Sequence, residues 1–143
     1  MKIQQLSLFA ENKPGHIATP ARLLAREGID IRSLYLADTQ QYGILRMIVS
    51  DRRKATQVLE ANGYVVKATE VLAVEVADQP GGLADVLDAL DGTGLNIEYM
   101  YAFPNACKDK AILIFRFNDP DAALERLQAA GIHPLASGEL LER

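Results

Sequence analysis

The chain repeats itself, and that constrains its fold more than any other feature. Asn12-Lys13-Pro14-Gly15 returns as Asp78-Gln79-Pro80-Gly81, and Gly28-Ile29-Asp30-Ile31 returns as Gly94-Leu95-Asn96-Ile97, each 66 positions later (15 to 81, 28 to 94). Asp51 then matches Asp119, and Gly63 matches Gly131, at a spacing of 68. The second copy has therefore gained two residues between those landmarks. The segment from Phe103 to Lys110, longer than its counterpart from Ala37 to Tyr42, is the natural place, because lengthening a loop costs little entropy. Four landmarks in order mark a duplication, to be read before any single element. Each copy has about 70 residues, a size at which a lone core is marginal. The halves are expected to pack together, or the chain to self-associate.

Hydrophobic periodicity gives each copy the plan βαββαβ. In the first copy, Ile3–Phe9 suits a strand and Asn12–Gly15 is turn chemistry. Ile17, Ala21, Leu24 and Ala25 then share one helical face. Pro20 conflicts with an early start, so this helix is expected to begin late, with Thr19 as its N-cap, and to end at Gly28. Ile31–Ala37 and Ile44–Val49 read as a strand pair. Asp51 is a good N-cap for a helix carrying Ala55, Val58 and Leu59, which Gly63 closes before a last strand, Tyr64–Ala68.

The second copy repeats this with Val71–Ala77, a helix over Leu83, Val86, Leu87 and Leu90, and strands Ile97–Phe103 and Ala111–Phe117. Asp119-Pro120 opens a helix with Leu124 and Leu127 inward, since proline is harmless at the first helical position. Ile132–Ala136 is the expected final strand. Right-handed crossovers make each copy a four-stranded antiparallel sheet of order 4-1-3-2 with both helices on one face. The fold class is α+β, two tandem ferredoxin-like modules with boundaries at residues 1–69 and 70–143, separated only by Thr69 and Glu70.

Composition narrows the function. A net charge of −4 argues against nucleic acid, whose phosphates demand clustered cations. The one dense basic run, Arg52-Arg53-Lys54, reads as the first turn of a solvated helix. No apolar stretch nears the roughly 20 residues of a membrane span, and Met1-Lys2-Ile3-Gln4-Gln5 lacks a signal-peptide block. With a single cysteine, Cys107, an internal disulfide is impossible, and a cytoplasmic location is expected. His16 and His133 are too few for a three-histidine metal site, and there is no His-Glu-x-x-His motif. Cys107 and His133 would stand three strand spacings apart, about 14 Å at roughly 4.8 Å each, too far for a nucleophile and its base. Pro80–Gly82 is too short for a phosphate loop. The expectation is no enzyme, no metal and no cofactor.

A βαββαβ unit with Asn-x-Pro-Gly after its first strand and Gly-Ile-Asp-Ile after its first helix resembles the ACT domain family, small regulatory modules that bind amino acids. The likeness covers essentially the whole chain twice, in the manner of stand-alone tandem ACT proteins. It implies a non-catalytic amino-acid-binding regulatory protein, working as a homodimer or larger, with the ligand held where ACT modules meet by the loops between strand one and helix one. Those loops are Asn12, Pro14, Gly15, His16 and Ile17 in the first copy and Asp78, Pro80, Gly81, Gly82 and Leu83 in the second. Two alternatives stay open: a small regulatory subunit of an amino-acid biosynthetic enzyme such as acetolactate synthase, which would make that enzyme a partner, or a ligand-free assembly module.

The residues carry part of this independently. Gly15 and Gly81 leave backbone N–H groups accessible just before a helix whose positive end favours a carboxylate. That dipole is worth roughly 0.3–1 kcal/mol and cannot set selectivity. Asn12 both donates and accepts, whereas Asp78 only accepts. The first loop is thus suited to the carboxylate, and the second is either degenerate or suited to the ammonium group. Asn or Asp before Pro-Gly is also ordinary turn chemistry, and His16 reads more readily as a first-turn helix residue than as a ligand. Some serine-binding ACT modules carry histidine two residues before the asparagine; Ala10 stands there in this chain, against that route to serine. Tyr35 and Tyr101 match in the repeat and read as packing residues.

Overall fold

The structure, a computed structural model, describes residues 2–38, 41–104 and 109–142. Its residues group into two compact units, Gln4–Thr69 and Met1–Ile3 with Glu70–Arg143.

The first unit contains β1 (Ile3–Glu11), α1 (Ala18–Arg26), β2 (Ile31–Asp38), β3 (Tyr42–Val49), α2 (Arg52–Ala61) and the start of β4 (Val65–Ala77). Its strands lie in the order β2-β3-β1-β4, the 4-1-3-2 arrangement expected. β1 and β2 both run antiparallel to β3, with Leu6 opposite Met47 and Leu8 opposite Leu45. Side chains alternate across a strand, so Leu6, Leu8, Leu45, Met47 and Val49 form one face. Leu24 of α1 with Ala55 and Leu59 of α2 close over it as a single core. Each fully buried leucine is worth about 1.5–3 kcal/mol. The opposite face of β1 carries two buried polar side chains, Gln5 and Ser7, and Gln5 Nε2 donates to Ser7 Oγ at 3.3 Å.

α1 does not start late. It begins at Ala18 with Ile17 at the N-cap position and no side-chain cap. Pro20 is its third residue, and the first turn of a helix has no intrahelical acceptors for its N–H groups, so the proline loses nothing there. α2 follows the expectation: Asp51 Oδ1 accepts from Lys54 N at 3.1 Å.

The second unit holds the rest of β4, α3 (Gly82–Ala89), β5 (Ile97–Phe103), β6 (Lys110–Phe117), α4 (Pro120–Ala129) and α5 (Ser137–Leu141), with strand order β4-β6-β5. Leu72, Val74, Phe115 and Phe117 face Val86 of α3, Leu90 just beyond it, and Ala123 and Leu127 of α4. Asp119 Oδ1 caps α4 by accepting from Ala122 N at 3.1 Å. Lys2 Nζ reaches Asp121 Oδ1 at 2.7 Å and Glu70 Oε2 at 2.9 Å, which places the chain's first described residues in this unit.

Two expectations change. The strands expected at Tyr64–Ala68 and Val71–Ala77 are not separate but merge into the thirteen-residue β4, which begins at Val65, because Lys67-Ala68-Thr69-Glu70 contains none of the residues that break a strand. The final strand Ile132–Ala136 is absent. Pro134 has no N–H to give to a ladder, and its neighbour Leu135 N donates a single bond to β4, to Ala73 O at 2.8 Å. The chain instead enters α5, where Glu139 Oε1 accepts from Ala136 N at 3.2 Å. Among the described residues the second unit therefore pairs three strands, β4-β6-β5, where four were expected. Tyr101 is buried and Tyr35 half-buried. Cys107 lies outside the described residues, and His133 is exposed.

Candidate ligand loops

Both candidate loops are built by one hydrogen-bond scheme. In the first, Asn12 N donates to Gln41 O at 3.0 Å, Lys13 N to Glu11 O at 2.9 Å, His16 N to Lys13 O at 3.1 Å and Thr19 N to Gly15 O at 3.3 Å. In the second, Asp78 N donates to Asp109 O at 3.0 Å, Gln79 N to Ala77 O at 2.9 Å, Gly82 N to Gln79 O at 3.1 Å and Asp85 N to Gly81 O at 2.9 Å. Gly15 and Gly81 turn the chain at φ +84° and +92°, a conformation that costs side-chain-bearing residues energy and glycine none.

The loops then diverge. In the second, the helix begins at once, with Gly81 as the N-cap residue of α3. Gly82 is buried so tightly that an added Cβ would be driven into the Ala77 carbonyl oxygen. The first loop carries His16 at the equivalent position and makes two more residues of turn before α1. The imidazole lies over Gly43 of β3, whose repeat counterpart is Ala111. The space that a side chain takes on β6 in one copy is filled by the histidine in the other.

The first loop is also the wall of a groove. Phe9, Glu11, Lys13, Gly15, His16 and Tyr64 border a half-open cavity of about 510 Å³ at the end of β1. Lys13 Nζ stands 3.7 Å from Glu11 Oε2, both side chains largely exposed, so the rim presents a cation and an anion side by side. His16 Nε2 is buried and makes no hydrogen bond with any described residue. Among the described residues, the N–H groups of Gly15 and Ile17 also find no backbone acceptor, as expected just ahead of a helix. Lys67 Nζ sits 5.7 Å from the centre of the Phe9 ring, over its face.

Pro14, Gly15 and His16 thus line the groove, while Asn12 and Ile17 border a shallower depression along the same loop. Ile17 also packs against the first core. Asp78, Pro80, Gly81 and Leu83 are exposed and Gly82 is buried. Glu11, Lys13, Tyr64 and Gly43 were not singled out in the sequence. The exchange of His16 and Gly43 for Gly82 and Ala111 between the copies is a sequence signal for the Gly43 contact alone; Glu11, Lys13 and Tyr64 carry none. Among the described residues no group of three or more His, Cys, Asp or Glu is arranged to hold a metal, and no helix is long and apolar enough to cross a membrane.

The chain matches the family model described as an ACT domain pair over residues 1–142. A crystal structure of a Bacteroides thetaiotaomicron protein superposes with a TM-score of 0.92 at 37% identity, covering 100% of this chain and 98% of that one. The ligand-free regulatory subunit of aspartate kinase from Thermus thermophilus shares the fold at a TM-score of 0.56 and 21% identity, with 89% of this chain and 91% of that one covered. Its counterpart from Thermus flavus gives 0.58 and 20%, with 90% and 92% covered. No curated protein matches the sequence.

Proposed function

The chain belongs to the ACT domain pair family, and from that premise we propose that it is a non-catalytic regulatory protein that binds a free amino acid at the loop between β1 and α1, where ACT modules meet. The observation that carries this reading is the asymmetry of the loops. The groove beside Asn12–Ile17 is open and rimmed by Lys13 and Glu11, whereas Gly82 is packed against its own strand. A zwitterion needs a cation for its carboxylate and an acceptor for its ammonium group. Lys13 with the N–H groups of Gly15 and Ile17 serves the first, and Glu11 the second. Asn12 borders the same loop and orients the ligand from outside the groove. In this reading the modules divide at Thr69 and Glu70, the loop Asp78–Leu83 is degenerate, and the protein works in the cytoplasm as a homodimer or larger.

A second reading makes the chain the separate regulatory subunit of an amino-acid biosynthetic enzyme. Its support is size. The Thermus thermophilus regulatory subunit of aspartate kinase is likewise a chain covered almost end to end by this fold. A catalytic partner co-purifying with the tagged protein would favour it.

Thermal melting against the twenty amino acids tests the main reading. A ligand at a hundredfold excess over its Kd adds about 2.7 kcal/mol, a rise of roughly 5–10 °C at this size. If all twenty leave the melting curve unmoved, the binding proposal fails.

A further inference from the structure

The duplication has inverted the charge on its helices. α1 and α3 are related by the 66-residue spacing, which puts Arg22 and Asp88 at one and the same position. Both are exposed, on the side away from the buried pairs Pro20 and Leu24 in α1 and Val86 and Leu90 in α3 and just beyond it. Arg26 lies one turn from Arg22, and α2 beside them adds Arg52, Arg53 and Lys54. α3 carries only acids, Asp85 and Asp88, with Asp91 just beyond its end. Helix energetics account for only part of this: Asp85 in the first turn of α3 and Arg26 in the last turn of α1 suit the dipole, but others oppose it. Arg52, Arg53 and Lys54 occupy the first turn of α2, at the positive end of its dipole, and Asp88 the last turn of α3, at the negative end. Among the described residues, Arg22, Arg26, Asp85 and Asp88 make no ion pair.

An apolar strip runs beside the acids. Leu83 and Leu87, one turn apart on α3, are 39% and 37% exposed. Leu87 opens onto a groove of about 320 Å³ shared with Leu90, Asp91, Leu95 and Ile97. At the equivalent positions α1 has the half-buried Ile17 and Ala21. An apolar strip edged by carboxylates suits arginine, whose stem lies on apolar surface while its head pairs with the acid.

We propose that the α1–α2 face of one copy of this chain docks on the α3 face of a second copy, with Arg22 and Arg26 set against Asp85, Asp88 and Asp91 over Leu83 and Leu87. The complement to each face is present in every chain, so the contact needs no other protein. It closes when the second copy's α1–α2 face meets the first copy's α3, and otherwise propagates. The inference rests on the self-association part of the preceding reading and does not involve the ligand.

Sedimentation velocity of the full chain tests it. Raising the salt from about 0.05 M to about 0.5 M shortens the screening length and is expected to weaken association about tenfold or more. The pair Arg22→Glu with Arg26→Glu, and separately Asp85→Arg with Asp88→Arg, are expected to weaken it by at least as much. All four changes together restore it, because the attraction returns with its signs exchanged. These positions are exposed, and circular dichroism verifies that each variant is folded. A wild-type chain that stays monomeric at every concentration overturns both this inference and the self-association beneath it. An assembly indifferent to the pair reversals, or a fourfold variant no better than either pair, overturns the docking faces alone.

Discussion

The imidazole of His16 rests on Gly43: a Cβ placed on that glycine would stand 3.4 Å from His16 Cδ2 and 3.5 Å from Nε2. The first contact joins the β1–α1 loop to β3, and it exists because β3 presents no side chain at that point. It holds the ring at the groove wall. A single methyl at 3.4 Å is an ordinary van der Waals contact, and glycine inside a strand is intrinsically weak. Gly43→Ala should therefore stabilise the protein by about 0.4–1 kcal/mol. Gly43→Val should instead push the ring aside and cost about 1–3 kcal/mol. In a His16→Ala background that cost should shrink by 0.5 kcal/mol or more, a coupling that a double-mutant cycle in denaturant unfolding reads directly at roughly that resolution.

Gly82 is the reverse case. Its neighbour is the Ala77 carbonyl oxygen, which belongs to the backbone of β4 and cannot rotate away. Gly82→Ala should destabilise by about 1–3 kcal/mol, whereas His16→Gly at the equivalent position removes no core packing and should stay within about 1 kcal/mol. Equal losses at the two sites would mean that the loops are built alike after all.

The two Asp N-caps read in the sequence allow a matched comparison. Asp51 and Asp119 each accept one backbone hydrogen bond at 3.1 Å from the third residue of the helix. Asp51→Ala and Asp119→Ala should each cost about 0.5–2 kcal/mol. Leu59 and Leu127, in the last turn of those helices and fully buried, should cost about 2–5 kcal/mol when cut to alanine. Urea unfolding that ranks the caps above the leucines would contradict the core described above.

These caps and leucines were legible because each depends on residues within one helix. What escaped the sequence was either the lack of a signal or a contact made at long range. Nothing in Thr69-Glu70 announces that β4 runs on, since continuity is the absence of a breaker. Pro20 pointed to a late helix start only because its position relative to the first free N–H groups was unknown. Pro134, by contrast, stood in plain view within the expected last strand, and proline is a poor strand residue anywhere but at an edge. For the candidate site, the turn glycines gave the loops. The groove needed Tyr64 brought up beside Glu11 and His16, fifty residues apart in the chain, which only the order β1-β4 supplies.

Lys2 gives a pH test. Its hydrogen bonds to Asp121 and, next, to Glu70 raise its pKa above the ordinary 10.5. A group whose pKa is raised on folding contributes stability that is complete below the unfolded value and fades only as pH climbs through the folded one. Lys2→Met should therefore lower the melting temperature equally at pH 6 and pH 9, with the difference closing only in stronger alkali. A loss that vanished between those two pH values would assign the effect to another group.

The proposed ligand chemistry makes a graded prediction across the first loop. Lys13→Met removes the cation offered to the carboxylate, and Glu11→Gln removes the charge offered to the ammonium group, while both leave folding nearly untouched because the side chains are largely exposed. Losing one charge-assisted hydrogen bond is worth about 1.5–3 kcal/mol, so either change should cut affinity roughly ten- to hundredfold, read by calorimetry with whichever amino acid raises the melting point. Asn12→Ala borders the loop from outside the groove and should cost less, nearer an ordinary hydrogen bond at about 0.5–1.5 kcal/mol. Asp78→Ala lies in the loop closed by Gly82 and should leave affinity unchanged. The decisive comparison is Lys13 with Asp78. If Asp78→Ala weakens binding as much as Lys13→Met, the second loop is a working site and the asymmetry between the copies has another meaning.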